Sequence, residues 1–100
     1  MQDITVEELK SRMDKEENLF VIDVREPYEY EEYNIGAELI PLGALMNSID
    51  DLEDYKNEEI VVHCRSGARS GQAKEMLKAV GFTKVRNLLG GMLKWQELYG

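Results

Sequence analysis

Ile60-Val61-Val62-His63-Cys64-Arg65-Ser66-Gly67-Ala68-Arg69-Ser70 joins a strand, a tight loop and a helix start in one short stretch of a 100-residue chain. The unbroken apolar run Ile60–Val62 has the character of a strand buried on both faces, as in a parallel sheet. Gly67, between Ser66 and Ala68, permits the sharp turn that must follow. Beyond it, Ala73, Met76, Leu77 and Val80 recur at i, i+3, i+4 and i+7, the stripe of an amphipathic helix, and Gly81 stands at its C′ position.

The flanking sequence repeats this alternation. Leu19–Ile22 is a second apolar run, ending at Asp23; Leu39-Ile40 before Pro41 and Lys84–Arg86 read as shorter strands. Thr5 followed by Glu8 has the spacing of a capping box, and Val6, Leu9 and Met13 share one helical face behind it. Ala44–Leu52 reads as a short helix. Gly90-Gly91 opens a closing helix in which Leu93, Trp95 and Leu98 are expected to pack. Pro27 and Pro41 follow predicted strand or loop residues and punctuate rather than break helices. Alternating strands and helices point to an α/β domain over residues 1–100 with a mainly parallel sheet. Such sheets bind ligands beyond the carboxyl ends of their strands, where the chain's one cysteine lies.

Composition narrows the function classes. The net charge is −8 and the sequence pI near 4.6, an unfavourable balance for holding nucleic acid phosphates. The acid gathers in residues 26–32 and 50–54, read as solvated surface. No apolar run reaches the ~20 residues of a membrane span. Met1-Gln2-Asp3-Ile4 lacks the basic and apolar regions of a secretory signal, and one unpaired cysteine suits a reducing compartment, so the cytoplasm is the expected location. One Cys and one His make no zinc site, and no glycine-rich nucleotide loop follows either main strand; neither metal nor cofactor is expected.

The loop from Cys64 to Arg69 offers a specific chemistry. The first N–H groups of the helix behind it lack intrahelical partners and turn inward as an anion-binding nest, with the helix dipole adding positive potential. Arg65 and Arg69 bring two full charges. Cysteine ordinarily ionises near ~8.5, and helix N-termini or neighbouring Arg lower that value to roughly 3.5–7.5. Nucleophile and anion site therefore coincide, which suits attack on an anionic sulfur donor. In so small a domain, Cys64 is expected in a shallow, open site.

The loop Cys64–Arg69 resembles the six-residue active-site loop of rhodanese domains. Val21-Ile22-Asp23-Val24-Arg25-Glu26-Pro27-Tyr28-Glu29-Tyr30 resembles the family's N-terminal signature, and Asn87-Leu88-Leu89-Gly90-Gly91 through Trp95 its C-terminal one. The resemblance covers nearly the whole chain. It implies the rhodanese-like three-layer fold, with helices on both faces of the central sheet, and sulfurtransferase activity. Cys64 would take sulfur as a persulfide from thiosulfate or a similar anionic donor and pass it to cyanide, a small thiol or a protein thiol. Amides from Arg65 to Ser70 (Arg65, Ser66, Gly67, Ala68, Arg69, Ser70) would cradle the persulfide or anion, while the Arg65 and Arg69 side chains attract the donor. Two loop arginines favour thiosulfate over mercaptopyruvate. Many members carry a His before the Ile of the segment Tyr33–Ala37; Asn34 stands there in this chain. A monomer or weak homodimer is expected.

Two alternatives share the cysteine. One is a sulfur-delivery or binding module serving a single protein partner. The other is a cysteine phosphatase or arsenate reductase, whose signature separates Cys and Arg by five residues, where Cys64 and Arg69 are separated by four. The shorter loop makes a smaller cradle, matched to one sulfur atom rather than a phosphate. Strand alternation turns His63 away from Cys64. Asp23 and Arg25, at the end of the other apolar strand, are read as an ion pair supporting the loops. Tyr28, Tyr30 and Tyr33 are expected to pack near the surface.

Overall fold

The computed structural model describes residues 1–100. Four parallel strands form the sheet, β1 (Phe20–Asp23), β2 (Glu38–Leu39), β3 (Glu59–His63) and β4 (Lys84–Asn87), in the order β2-β1-β3-β4. The helices are α1 (Val6–Asp14), α2 (Pro27–Glu32), α3 (Ala68–Ala79) and α4 (Gly91–Tyr99). The chain runs from β1 towards β2 on one side and from β3 towards β4 on the other. The switch point therefore lies between β1 and β3, and a crevice opens at their carboxyl ends.

Alternation along the central strands builds two cores. Ile22, Val24, Ile60, Val62 and Cys64 face Ala73 and Leu77 of α3, with Leu45 and Leu52 beside them. Val21 and Val61 face the other way, onto Val6 and Leu9 of α1 and Met92 and Trp95 of α4. Continuous apolar strands thus reflect burial on both sides, and the expected three layers are present. Each fully buried aliphatic side chain contributes about 1.5–3 kcal/mol. The helical stripes also fall as expected: Met76 and Val80 pack at the edge of the first core and Met13 at that of the second.

Several local expectations are corrected. The segment 44–52 is no continuous α-helix but three 3-10 stretches, Leu42–Ala44, Met46–Ser48 and Asp50–Tyr55. Its Asn, Ser and Asp side chains compete for backbone partners, as Ser48 Oγ does in donating to the Ala44 carbonyl at 3.1 Å. The second short strand is Glu38–Leu39, one residue earlier than expected. Helix α2 was not anticipated: it is six residues long and buries none of them, so it has no apolar stripe; Pro27 stands at its first position and breaks no helix. On α4, Met92 and Trp95 pack, but Leu93 and Leu98 are exposed. Asn34 closes the turn after α2, its Nδ2 donating to the Tyr30 carbonyl at 2.9 Å and its Oδ1 accepting from the Gly36 amide at 2.9 Å.

Thr5 caps α1 by accepting from the Glu8 amide at 3.1 Å. The Glu8 carboxylate does not return to Thr5; it accepts from Arg86 at 2.8 and 3.1 Å. Arg86 also donates to Glu59 at 2.8 Å, and Arg12 grips Glu59 with two bonds of 2.6 and 2.8 Å. This network ties α1 to β3 and β4. Arg12 foremost, against the opposing effect of burial and with help from Arg86, holds the Glu59 carboxyl down to about 2. A carboxyl with a depressed folded value contributes stability that is complete above its unfolded value and is lost as pH falls through the folded one. Chemical denaturation should therefore show stability falling between pH 4.5 and 2. Glu59→Gln should cost about 1–2 kcal/mol at pH 7 and flatten that acid limb.

Candidate active site

Cys64 leaves β3 at the switch point, and its two flanking peptides fix the loop that follows. The Cys64 carbonyl accepts from the Met92 amide at 3.0 Å, and the Arg65 carbonyl accepts from the Leu93 amide at 2.9 Å. These donors belong to the first turn of α4, where amides have no partner within the helix. With both carbonyls turned to α4, the chain curls back over the sulfur. Gly67, at φ 109°, completes the turn as N-cap of α3. Cys64 Sγ then accepts from the Gly67 amide at 3.1 Å and the Ser70 amide at 3.3 Å, with Ser70 Oγ also at 3.3 Å.

Gly91 makes this docking possible. A Cβ there would lie 2.5 Å from the Arg65 carbonyl oxygen and 2.6 Å from that of Cys64, and its φ is +55°. Asn87, at the end of β4, secures the other side. Its Nδ2 donates to the Gly67 carbonyl at 3.1 Å, which aims Oδ1 at Ser70 Oγ, 2.5 Å away. Ser70 has one hydroxyl proton. While Cys64 is a thiol, that proton can rest on Asn87 and the S–H can point to Ser70; once Cys64 ionises, the hydroxyl can turn to the sulfur. Neither Asn87 nor Gly91 stood among the expected site residues, although both lie in the C-terminal signature. Their signals, a polar residue closing an apolar strand and a Gly-Gly pair opening a helix, were visible.

The site is not shallow: Cys64 is only 1% exposed and belongs to the core beneath α3. Burial, the largest single influence, pushes its thiol up. The Ser70 hydroxyl and the amides of Ser70, Gly67 and Ser66 together outweigh it and hold the thiol below its ordinary value. A merely structural cysteine needs no such set of donors. The arginines contribute differently from expectation. Arg65 is exposed. Arg69 is engaged by Glu29 of α2, which accepts from it at 2.7 and 2.9 Å.

Asp23 and Arg25 form a buried ion pair. Arg25 Nε lies 3.0 Å and Nη2 2.7 Å from the Asp23 carboxylate, both residues being buried. The guanidinium also reaches the carbonyls of Glu29 at 3.4 Å and Tyr33 at 2.8 Å, fastening α2 above the sheet. His63 shares the parity of Val61 and so faces away from Cys64, as expected. It is fully buried and neither ring nitrogen has a hydrogen-bond partner; Nε2 lies 3.7 Å from Asp23. Burial pushes its imidazole down to about 4, against the pull of Asp23. His63 is therefore neutral at pH 7 and lies on the sheet face opposite the sulfur. No group of three His, Cys, Asp or Glu side chains is disposed to hold a metal. Tyr30 packs by donating to the Ala37 carbonyl at 2.8 Å, whereas Tyr28 is exposed.

Residues 5–98 match the Rhodanese-like domain family. The chain belongs to that family. Of its relatives, YrkF of Bacillus subtilis, named as a sulfur carrier protein, is 40% identical over 94 residues, covering 93% of this chain and 50% of that protein. The chain thus spans half of YrkF's length. PspE of Escherichia coli, named a thiosulfate sulfurtransferase, is 41% identical over 70 residues, covering 69% of this chain and 67% of that protein. Among solved structures, a rhodanese-like domain protein from Staphylococcus aureus superposes with a TM-score of 0.78 at 35% identity, covering 95% of this chain and 91% of that one.

The docking of α4 on the loop yields a direct test. Gly91→Ala must push the Cys64–Arg65 peptide away and adopt an unfavourable φ, and should destabilise the rhodanese domain by about 2–4 kcal/mol in denaturant titrations. Gly43→Ala, at a position with open space and no positive φ, should change stability by less than about 0.5 kcal/mol.

Proposed function

We propose that this chain is a sulfurtransferase in which Cys64 carries sulfane sulfur as a persulfide. The observation that carries the reading is the ring of donors around one sulfur atom: the Gly67 and Ser70 amides and the Ser70 hydroxyl all address Cys64 Sγ. Such a ring stabilises a thiolate and, one bond longer, a persulfide anion. The names of the relatives, sulfur carrier and thiosulfate sulfurtransferase, support sulfur transfer in general.

Thiosulfate or a similar anionic sulfane-sulfur compound can load the sulfur. The Cys64 thiolate attacks its outer sulfur, a new S–S bond forms, and the old S–S bond breaks with sulfite leaving on its electron pair. A thiophilic acceptor then attacks the outer sulfur of the persulfide and regenerates the thiolate. Cyanide, a small thiol or a protein thiol can serve as acceptor. The amides from Arg65 to Ser70 hold the transferred sulfur, and Asp23 with Arg25 supports the loops around it. The step needs no metal or cofactor, since both half-reactions exchange sulfur between nucleophiles.

The sulfur-carrier name of YrkF favours one variation, delivery to a particular protein thiol rather than turnover with a small acceptor. Slow discharge to cyanide with fast discharge to one protein thiol would select it. The short spacing from Cys64 to Arg69 argues against phosphatase chemistry.

Incubation of the reduced protein with thiosulfate, followed by intact-mass measurement, should show a species heavier by one sulfur atom, and cyanide should remove it. Cys64→Ser should show none. Absence of the adduct in the native chain, or its persistence in Cys64→Ser, contradicts the carrier role.

A further inference from the structure

Arg69 is the loop arginine expected to draw in an anionic donor, yet its guanidinium is already occupied. Glu29 meets it with both carboxylate oxygens, at 2.7 and 2.9 Å, in the fork-to-fork geometry that makes the strongest Arg–carboxylate pairs. Glu29 is not a loose surface group. Its side chain is 12% exposed, and Oε1 also accepts from the Glu26 amide at 3.0 Å, which locks it onto the first turn of α2. Arg25 in turn fixes α2 through the Glu29 and Tyr33 carbonyls, and buried Asp23 fixes Arg25. A chain of contacts thus runs from the end of β1 to the mouth of the Cys64 loop and ends in a carboxylate on Arg69.

Arg65, the other loop cation, lines a cavity of about 240 Å³ between α2 and α4 that it shares with Arg25, Glu29 and Glu32. Acid from α2 therefore offsets the loop's positive charge, within a chain of net charge −8. A small dianion approaching Cys64 meets an arginine whose binding face is taken.

We propose that Glu29 is a specificity-determining residue that disfavours small dianionic donors, because such a donor must displace its carboxylate from Arg69 before the sulfur can be reached. The donors favoured are persulfides on an uncharged organic or protein carrier, which need no sulfonate-binding arginine. Their transfer balances without an oxidant: the Cys64 thiolate attacks the outer sulfur of the protonated persulfide, an S–S bond forms, and the carrier thiolate leaves. The inference rests on Cys64 being the sulfur carrier and adds the donor class.

The test uses Glu29→Gln, which removes the charge while keeping an oxygen for the Glu26 amide. Steady-state sulfur transfer to cyanide is measured with two donors, thiosulfate and the persulfide of an acetylated, amidated cysteine. Freeing Arg69 should lower KM for thiosulfate about fivefold, a change matching the upper worth of one well-formed ion pair, with kcat moving less than about twofold. KM for the uncharged-carrier persulfide should move less than about twofold, which also reports that the variant's site is folded. An unaltered thiosulfate KM overturns the proposal. So does an equal fall for both donors, which would make Glu29 a general restraint on the loop rather than a charge filter. Failure of both donors to load Cys64 in the native chain overturns the carrier reading and this proposal together, whereas loading of Cys64 with an unaltered thiosulfate KM overturns this proposal alone.

Discussion

The two carbonyls that follow β3 must point somewhere, and in this domain they point at the first turn of α4. Met92 and Leu93 have amides to spare because they begin a helix, and Cys64 and Arg65 have carbonyls to spare because they have left a strand. Satisfying one set with the other settles the direction of the loop's first two peptides. With the carbonyls spent on α4, the amides of Gly67 and Ser70 are left facing Sγ. Gly91 is the steric condition for this, since any side chain there would strike the same two carbonyls. The ring of donors around Sγ is therefore made by the last helix of the chain as much as by the loop's own residues.

Two opposing forces act on the sulfur. The loop packs closely enough to leave Cys64 1% exposed, and burial alone would keep the thiol protonated. Hydrogen bonds from three amides and a hydroxyl reverse that tendency. The arginines that give the loop its cationic look are not among the principal stabilisers of the thiolate, because Glu29 holds Arg69 and Arg65 is exposed. Short-range, oriented dipoles outweigh burial at Cys64, while the loop's full charges are paired or exposed around it.

The parts legible in the sequence are those written in local periodicity. The runs Leu19–Ile22 and Ile60–Val62 marked the central strands because both sheet faces are covered, and Ala73, Met76, Leu77 and Val80 marked α3 because one face of it is. The place of Cys64 at a strand end followed from the same patterns. What escaped depends on contacts between distant segments. Helix α2 is positioned by Arg25 and Arg69 rather than by an apolar stripe, so only Pro27 at its first position and the Glu26–Glu29 capping spacing mark it in the sequence. Asn87 lies 20 residues from the Gly67 carbonyl it binds, and Glu29 lies 40 residues from Arg69. Cys64 was expected to be open because the domain is small; it is buried because its loop folds onto the sulfur.

The balance between burial and hydrogen bonding at Cys64 is directly measurable. Ultraviolet titration of the thiolate in the reduced protein, with Cys64→Ser as the blank, reads it from one side chain, since the chain has a single cysteine. A midpoint below the ~8.5 of an ordinary cysteine is the predicted result, because the converging amides and the Ser70 hydroxyl outweigh the cost of burying the charge. A midpoint at or above that value would mean that burial prevails, and it would contradict the claim that this loop is built around a sulfur anion.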